Sequence, residues 1–274
     1  MLADKHVVFI GSGNMAEGIL AGIVGQKLVP PAQITMTDIR PQRLAELAET
    51  YGVQTSTDNN TAVSTADIIF LAIKPQMLTA VANPIGDHIA AHALVISILA
   101  GTTIATLTNT LDHPAVIRAM PNTPAQIGQS MTVWCETTAV SEEQNSHAQQ
   151  LFQAFGQEIQ VPKESYLDMA TAINGSGPGY VFLILEAMID AAVQMGFARP
   201  IAEKLVLQTF LGSVQYAQDS DLHLVELRNR VTSPGGTTAA GLYAMEQNGL
   251  RVALTEGVLA AYRRSQELGK LSNE

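Results

Sequence analysis

The chain has 274 residues, 47% of them apolar and 15% charged, with a formal net charge of −10. That length predicts two domains, since single cores rarely grow so large. The acidic balance leaves no basic stripe and argues against nucleic acid or a membrane surface as partner. A single Cys135 excludes an intramolecular disulfide and fits the reducing cytoplasm, which is the expected location.

In chain order, short apolar runs recur at Val7–Ile10, 34–37, 68–73, 94–98 and 116–120. Helical patterns lie between them, notably over 41–50 and 75–91. Nearly all-apolar strands alternating with helices predict a parallel sheet covered on both faces, a doubly wound α/β architecture. Residues 60–64 read as a short turn of helix at most. A further strand is expected at 131–135, with Cys135 in it as a packed small hydrophobe. Ser141 and Gln144 form a capping box for a helix reaching about Phe155, followed by a last strand at 159–161. From Ser165 onward only helical periodicity appears, roughly over 166–173, 179–195, 200–218, 222–231, 236–247 and 250–268. The expected division is therefore residues 1–163 and 164–274, the second part all-helical. Residues 180–198 are apolar enough to suggest a membrane span, but Glu186 and Asp190 near the middle favour a helix buried between subunits.

The first strand enters Gly11-Ser12-Gly13-Asn14-Met15-Ala16 and a helical pattern leaves it. This is G-x-G-x-x-A, the dinucleotide fingerprint with alanine in place of its third glycine. Gly11 permits the turn and Gly13 lets the main chain approach a pyrophosphate. The helix start then offers unpaired N–H groups to the phosphates. Asp38 follows the second strand, placed to accept from an adenosine ribose, whereas Arg40 suits a 2′-phosphate; the two point to opposite cofactors. Lys74 precedes Pro75 at the start of a helix. Leu99-Ala100-Gly101 is a small-residue turn that lets a ring approach the backbone. Asn122 and Thr123, between two prolines, are candidates to orient a nicotinamide carboxamide.

The helical half holds two glycine-rich stretches, 174–179 and 233–238, each expected to precede a helix. Their amides and polar side chains, Asn174, Ser176, Ser233, Gly236, Thr237 and Thr238 among them, suit a carboxylate. The six histidines show no metal-ligand spacing, so no metal site is expected; His88 and His92 fall four apart on an expected helix face.

Taken together, Gly11-Ser-Gly-Asn-Met, Ala72-Ile-Lys-Pro, Met120-Pro-Asn-Thr-Pro, Asn174-Gly-Ser-Gly-Pro and Val231-Thr-Ser-Pro-Gly-Gly-Thr-Thr occur in one order. Nearly end to end, the chain resembles the 1-pyrroline-5-carboxylate reductase family. The resemblance implies a Rossmann-type domain followed by an all-α dimerisation domain whose helices interleave with a partner's, in a homodimer or a ring of dimers. It implies reduction of 1-pyrroline-5-carboxylate to L-proline, with NADPH as cofactor and NADH as the alternative. By position, Ile10, Gly11, Ser12, Gly13, Asn14, Met15, Asn59, Ala72, Ile73, Lys74, Pro75, Leu99, Ala100 and Gly101 are the implied cofactor contacts. Ser233, Gly236, Thr237 and Thr238 hold the carboxylate and ring nitrogen, Thr238 being the implied catalytic contact. Asn174 stands where the family more often has serine, Gly179 and Leu99 where it more often has alanine, and Arg230 where some members have asparagine. Asp38 stands where many members keep a neutral residue.

No general acid is readable, which suits an imine that binds already protonated. A β-hydroxyacid dehydrogenase shares the two-domain plan but needs a lysine base, for which only Lys204 is placed. A non-catalytic NAD(P) sensor is the other alternative, and the intact hydroxyls of the glycine-rich stretches argue against it.

Overall fold

The computed structural model describes residues 2–271; Met1 and the last three residues of the expected second domain lie outside the described residues. Eight strands form one sheet: β1 (Val7–Ile10), β2 (Ile34–Thr37), β3 (Gln54–Ser56), β4 (Ile68–Leu71), β5 (Leu94–Ser97), β6 (Val116–Met120), β7 (Ser130–Glu136) and β8 (Gly156–Gln160). Their order is β3-β2-β1-β4-β5-β6-β7-β8. Pairing is parallel from β3 through β6. The expected all-parallel sheet needs one correction, because β7 runs antiparallel to β6 and β8 follows β7. The connection 121–129 is shorter than the roughly dozen residues a parallel crossover requires, so the chain must turn back.

Strands β1, β2, β4 and β5 are buried at every position; β1 and β4 are apolar throughout, whereas β2 carries the buried Thr35 and Thr37 and β5 ends in the buried Ser97. Alternate residues feed two layers. Val7, Phe9, Ile34, Met36, Phe70 and Ile96 pack with α1 (Asn14–Gly25), α2 (Pro41–Tyr51) and α6 (Glu142–Gln153). Val8, Ile10, Ile69, Leu71 and Val95 pack with α3 (Asn59–Val63), α4 (Leu78–Gly86) and α5 (Ile104–Leu111) on the other face. Phe9 and Phe70 stack across neighbouring strands with centroids 4.7 Å apart, each burying side-chain area worth roughly 1.5–3 kcal/mol.

Both halves of the capping box form: Gln144 N donates to Ser141 Oγ and Ser141 N to Gln144 Oε1. The helix expected over 75–91 is shorter. A 3-10 turn at Pro75–Met77 precedes α4, which ends at Gly86 just after Pro84. Proline removes a main-chain donor and glycine weakens the turn, so His88 and His92 lie beyond the helix and share no helix face.

Beyond β8 the chain is helical: α7 (Ser165–Ala170), α8 (Gly177–Gln194), α9 (Arg199–Gln218), α10 (Leu224–Arg230), α11 (Thr237–Gln247) and α12 (Leu250–Leu271). Residues through Pro178 and from Ala260 onward make one compact unit, and Gly179–Leu259 make another. In the first, Arg118 of β6 is buried; it donates to Glu164 at 2.7 Å and to Asp168 of α7 at 3.3 Å. Asp168 also accepts from Ser265 of α12 at 3.2 Å, which ties α7 and the end of α12 to the sheet.

Between α7 and α8 the backbone makes a π turn, Thr171–Gly175, closed by Ser176 N donating to Thr171 O. The first glycine-rich stretch opens α8 at Gly177 as expected, but it does so out of a π turn rather than a loop. Asn174 and Gly175 end that π turn inside a nearly continuous helical run, and the turn carries an extra residue that a 3.6-residue period does not reveal.

In the second unit only Ala192, Ala202, Val206 and Leu227 are buried apolar residues. Helix α9 leaves Ile201, Leu205, Leu207, Leu211, Val214 and Tyr216 exposed, an apolar surface far beyond what a lone helix carries into water.

Candidate active site

β1 delivers the chain into Gly11 at the carboxyl end of the sheet. Gly11 has φ +95°, and a Cβ there would lie 2.8 Å from Ala72 O and 2.9 Å from Ile73 Cγ2. Only glycine fits both the conformation and the approach of β4's end. Gly13, by contrast, borders open space, with nothing within 4 Å of a Cβ. It is the N-cap of α1, and no side chain caps it. The first amides of α1 have no acceptor inside the helix and remain available to an anion.

Around this turn lies a cavity of about 440 Å³. Of the expected residues, Ile10, Gly11, Ser12, Gly13, Asp38, Arg40, Asn59, Ala72, Ile73 and Lys74 line it. Thr37, Ile39, Thr57, Met77 and Val81 line it too and were not expected. Ile39 is 91% exposed beside Arg40, an apolar platform suited to a flat ring. Asn14 and Met15 open α1 and Pro75 opens the 3-10 turn.

Asp38 is not a free ribose acceptor. Its Oδ1 accepts from Arg40 N at 3.0 Å and Arg40 Nε at 2.9 Å; its Oδ2 accepts from Arg40 Nη2 at 3.0 Å and Ser12 N at 3.2 Å. Those hydrogen bonds, Arg40's side chain first, hold the Asp38 carboxyl below the usual carboxylate range.

Leu99, Ala100, Gly101, Asn122 and Thr123 do not line this cavity. Leu99 is buried, and the close approach at Gly101 (φ +72°) is made by α12: Leu268 Cβ would meet an added Cβ at 3.0 Å. A helix of the same unit thus lies where the small-residue turn suggested a ring. Asn122 and Asn174 are likewise engaged inside the protein. Asn122 Nδ2 donates to Asn174 O at 3.1 Å, and its Oδ1 accepts from Ser130 Oγ and Met131 N. Asn174 Nδ2 donates to Met120 O at 2.9 Å and to Met131 O at 2.8 Å. These amides fasten the proline-rich loop to the π turn, partnerships made across about fifty residues that no local pattern announces.

The second glycine-rich stretch also opens a helix. Gly236 is the N-cap of α11, and its N–H donates to Ser233 O at 3.0 Å. Ala240 N is the first amide engaged by the helix; those of Thr237, Thr238 and Ala239 have no acceptor among the described residues. Thr237 is exposed and Thr238 half-buried.

Other candidates for chemistry recede. The Cys135 thiol is pushed up to about 11, chiefly by burial, so it is no nucleophile at neutral pH. Among the described residues no cluster of His, Cys, Asp and Glu has a metal-holding arrangement. Lys204 is exposed on α9. A second cavity, of about 370 Å³, includes Lys5, Asp67, His92 and His147 and carries no glycine turn.

A family model described as pyrroline-5-carboxylate reductase dimerisation matches residues 164–268, and one described as NADP oxidoreductase, coenzyme F420-dependent, matches residues 6–101. Pyrroline-5-carboxylate reductase of Synechocystis is 42% identical over 261 residues, covering 95% of this chain and 97% of the relative. The chain belongs to the pyrroline-5-carboxylate reductase family. The Escherichia coli reductase is 35% identical over 97% of this chain and 99% of its own. Among solved structures, the Coxiella burnetii reductase superposes with TM-score 0.89 at 34% identity, over 96% of this chain and 98% of that one. The Plasmodium falciparum enzyme, solved with NADP bound, gives 0.90 at 30% identity over 98% and 100%. A prephenate dehydrogenase shares the fold alone, at 12% identity and TM-score 0.55. This reductase is an oxidoreductase of proline biosynthesis, and neither the hydroxyacid-dehydrogenase nor the sensor alternative is favoured.

Proposed function

We propose that the chain reduces 1-pyrroline-5-carboxylate to L-proline with NADPH, and with NADH as the alternative donor, through the residues described above. The glycine cradle carries this reading: Gly13 leaves room for a pyrophosphate where any side chain would intrude, and the unpaired amides of α1 begin immediately after it. Ile39, Met77 and Val81 give the cavity an apolar side for adenine, with Arg40 beside it. When bound, the reduced nicotinamide supplies the hydride.

The chain's own part is to bind, orient and exclude water. The free amides of Thr237 and Thr238 at the start of α11 suit the substrate carboxylate, helped by the helix dipole. The Thr238 hydroxyl, in the same first turn, is the group we assign to the ring nitrogen, and Ser233 precedes it. With the imine nitrogen already protonated, no side chain need deliver a proton. The test is steady-state reduction of the pyrroline with each reduced cofactor, proline being identified as the product. Cofactor binding without proline formation would overturn the assignment.

The exposed apolar faces of α8 to α11 support pairing with a second copy, a homodimer or a larger ring. The stretch Ser165–Gln194 is long and apolar enough to cross a membrane by length and composition. It lies within the matched dimerisation region, and its Asp190 pairs with Arg199 at 2.8 Å. The match supports a subunit contact and the ion pair argues against lipid; the net charge of −10 argues against nucleic acid, which fits a cytoplasmic enzyme. Sedimentation of the pure protein as a monomer would overturn the pairing.

A further inference from the structure

Ser12, the middle residue of the G-x-G turn, is fully buried, and each of its polar groups is held. Its N–H donates to Asp38 Oδ2, its hydroxyl donates to Thr37 O at 2.9 Å, and its carbonyl accepts from Arg43 Nε at 3.0 Å. Arg43 lies on α2, away from the turn in sequence. The rest of its guanidinium is committed: Nη2 donates to Glu17 of α1 and Nη1 to Glu46 at 3.4 Å. Glu17 is held in turn by the Tyr51 hydroxyl at 3.3 Å. Arg43 does not line the cavity, and its donors go to Ser12 of the turn, Glu17 of α1 and Glu46 of its own helix.

A trans peptide sets its C=O and N–H in opposite directions. Drawing the Ser12 carbonyl toward Arg43 therefore turns the Gly13 N–H to the other side, and Gly13 is the residue that borders the cavity with open space around it. That N–H has no acceptor among the described residues.

We propose that Arg43, braced by Glu17 and Tyr51, is a positioning residue that fixes the Ser12–Gly13 peptide so that the Gly13 N–H points at a diphosphate oxygen of the bound dinucleotide. The inference rests on the reading of this cavity as the dinucleotide site. It assigns α2 a part in cofactor affinity that its sequence, an ordinary amphipathic helix, does not suggest. Because the diphosphate is common to both reduced cofactors, the effect is independent of the 2′-phosphate.

The experiment titrates wild type, Arg43→Met, Arg43→Lys and Arg43→Met/Glu17→Gln with NADPH and with NADH, following cofactor fluorescence, and adds steady-state kinetics and thermal melting. Arg43→Met should raise Kd and KM for both cofactors alike, by roughly tenfold or more. The kcat at saturating cofactor should fall by less than about twofold. Arg43→Lys, which cannot reproduce the guanidinium fork, should recover only part of the loss, and the double variant should recover none. Weakening confined to NADPH would mean a direct 2′-phosphate contact and overturn the proposal. Recovery in the double variant would mean that an unpaired Glu17 charge was the cause, and would overturn it too, as would unaltered binding. Should Arg43→Met fail to fold, Arg43→Lys carries the test, and wild-type affinity for both cofactors in it would overturn the proposal. A wild type that binds neither cofactor would instead refute the dinucleotide site itself.

Discussion

Arg40 closes on Asp38 in a fork, Nε to Oδ1 at 2.9 Å and Nη2 to Oδ2 at 3.0 Å, and its own main-chain N–H adds a third contact. With Ser12 N also on Oδ2, the acceptor positions of the carboxylate are filled. The Arg40 side chain remains 61% exposed at the cavity rim, while that of Asp38 is 9% exposed. The arrangement neutralises the carboxylate that would repel a 2′-phosphate and leaves a guanidinium beside it.

NADPH should accordingly be preferred over NADH. Arg40→Ala should lower the NADPH-to-NADH ratio of kcat/KM by roughly tenfold, since a phosphate loses a charge-assisted partner and the ribose hydroxyl gains Asp38. A ratio unchanged by the substitution would show that Arg40 does not meet the cofactor.

Thr238→Ala removes one hydroxyl from the first turn of α11 and leaves the helix amides in place. The expected loss in kcat/KM corresponds to about 1–3 kcal/mol, carried mainly by the pyrroline. Wild-type kcat/KM in this variant would dismiss Thr238 as the ring-nitrogen contact.

Gly11→Ala should fold poorly or lose cofactor affinity, because φ +95° and Ala72 O at 2.8 Å both oppose a Cβ. The backbone strain alone is of order 1–3 kcal/mol. Circular dichroism melting with cofactor titration separates the two effects, and a variant matching wild type in both would contradict the packing described at β4.

His147 on α6 is buried, and burial pulls its pKa below the usual 6.5. The folded protein therefore binds fewer protons at this site than the unfolded chain. Stability should rise with pH from the lowered folded value up to about the unfolded value, near 6.5, and be lost as pH falls through that window. His147→Leu should flatten this part of the profile in urea melts between mildly acidic and neutral pH. An unchanged slope would place the acid sensitivity elsewhere.

Much of the fold was legible because its determinants are local or periodic. Strands buried on both faces are rich in apolar and β-branched residues, so β1, β2, β4 and β5 announce themselves even though Thr35, Thr37 and Ser97 stand among them. The box at Ser141 and Gln144 marks the start of α6, and periodicity marks most helices after residue 165. The edge strand β3, Gln54-Thr55-Ser56, was silent because an exposed edge needs no apolar side chains. The reversal at β7 depended on the length of a connection rather than on the strand's composition.

The sequence by itself determined the sheet covered by helices on both faces, the glycine turn at its carboxyl edge and the helical half, because burial periodicity and steric need at Gly11 are written in neighbouring residues. Tertiary structure alone decided which polar side chains remain free to meet a ligand. Asp38, Asn122 and Asn174 each look available in the chain, yet each has its hydrogen-bonding groups largely filled by partners brought close in space. Arg43 looks like a surface residue and instead grips the turn. A polar group takes the nearest partner in space, and only folding determines which partner that is.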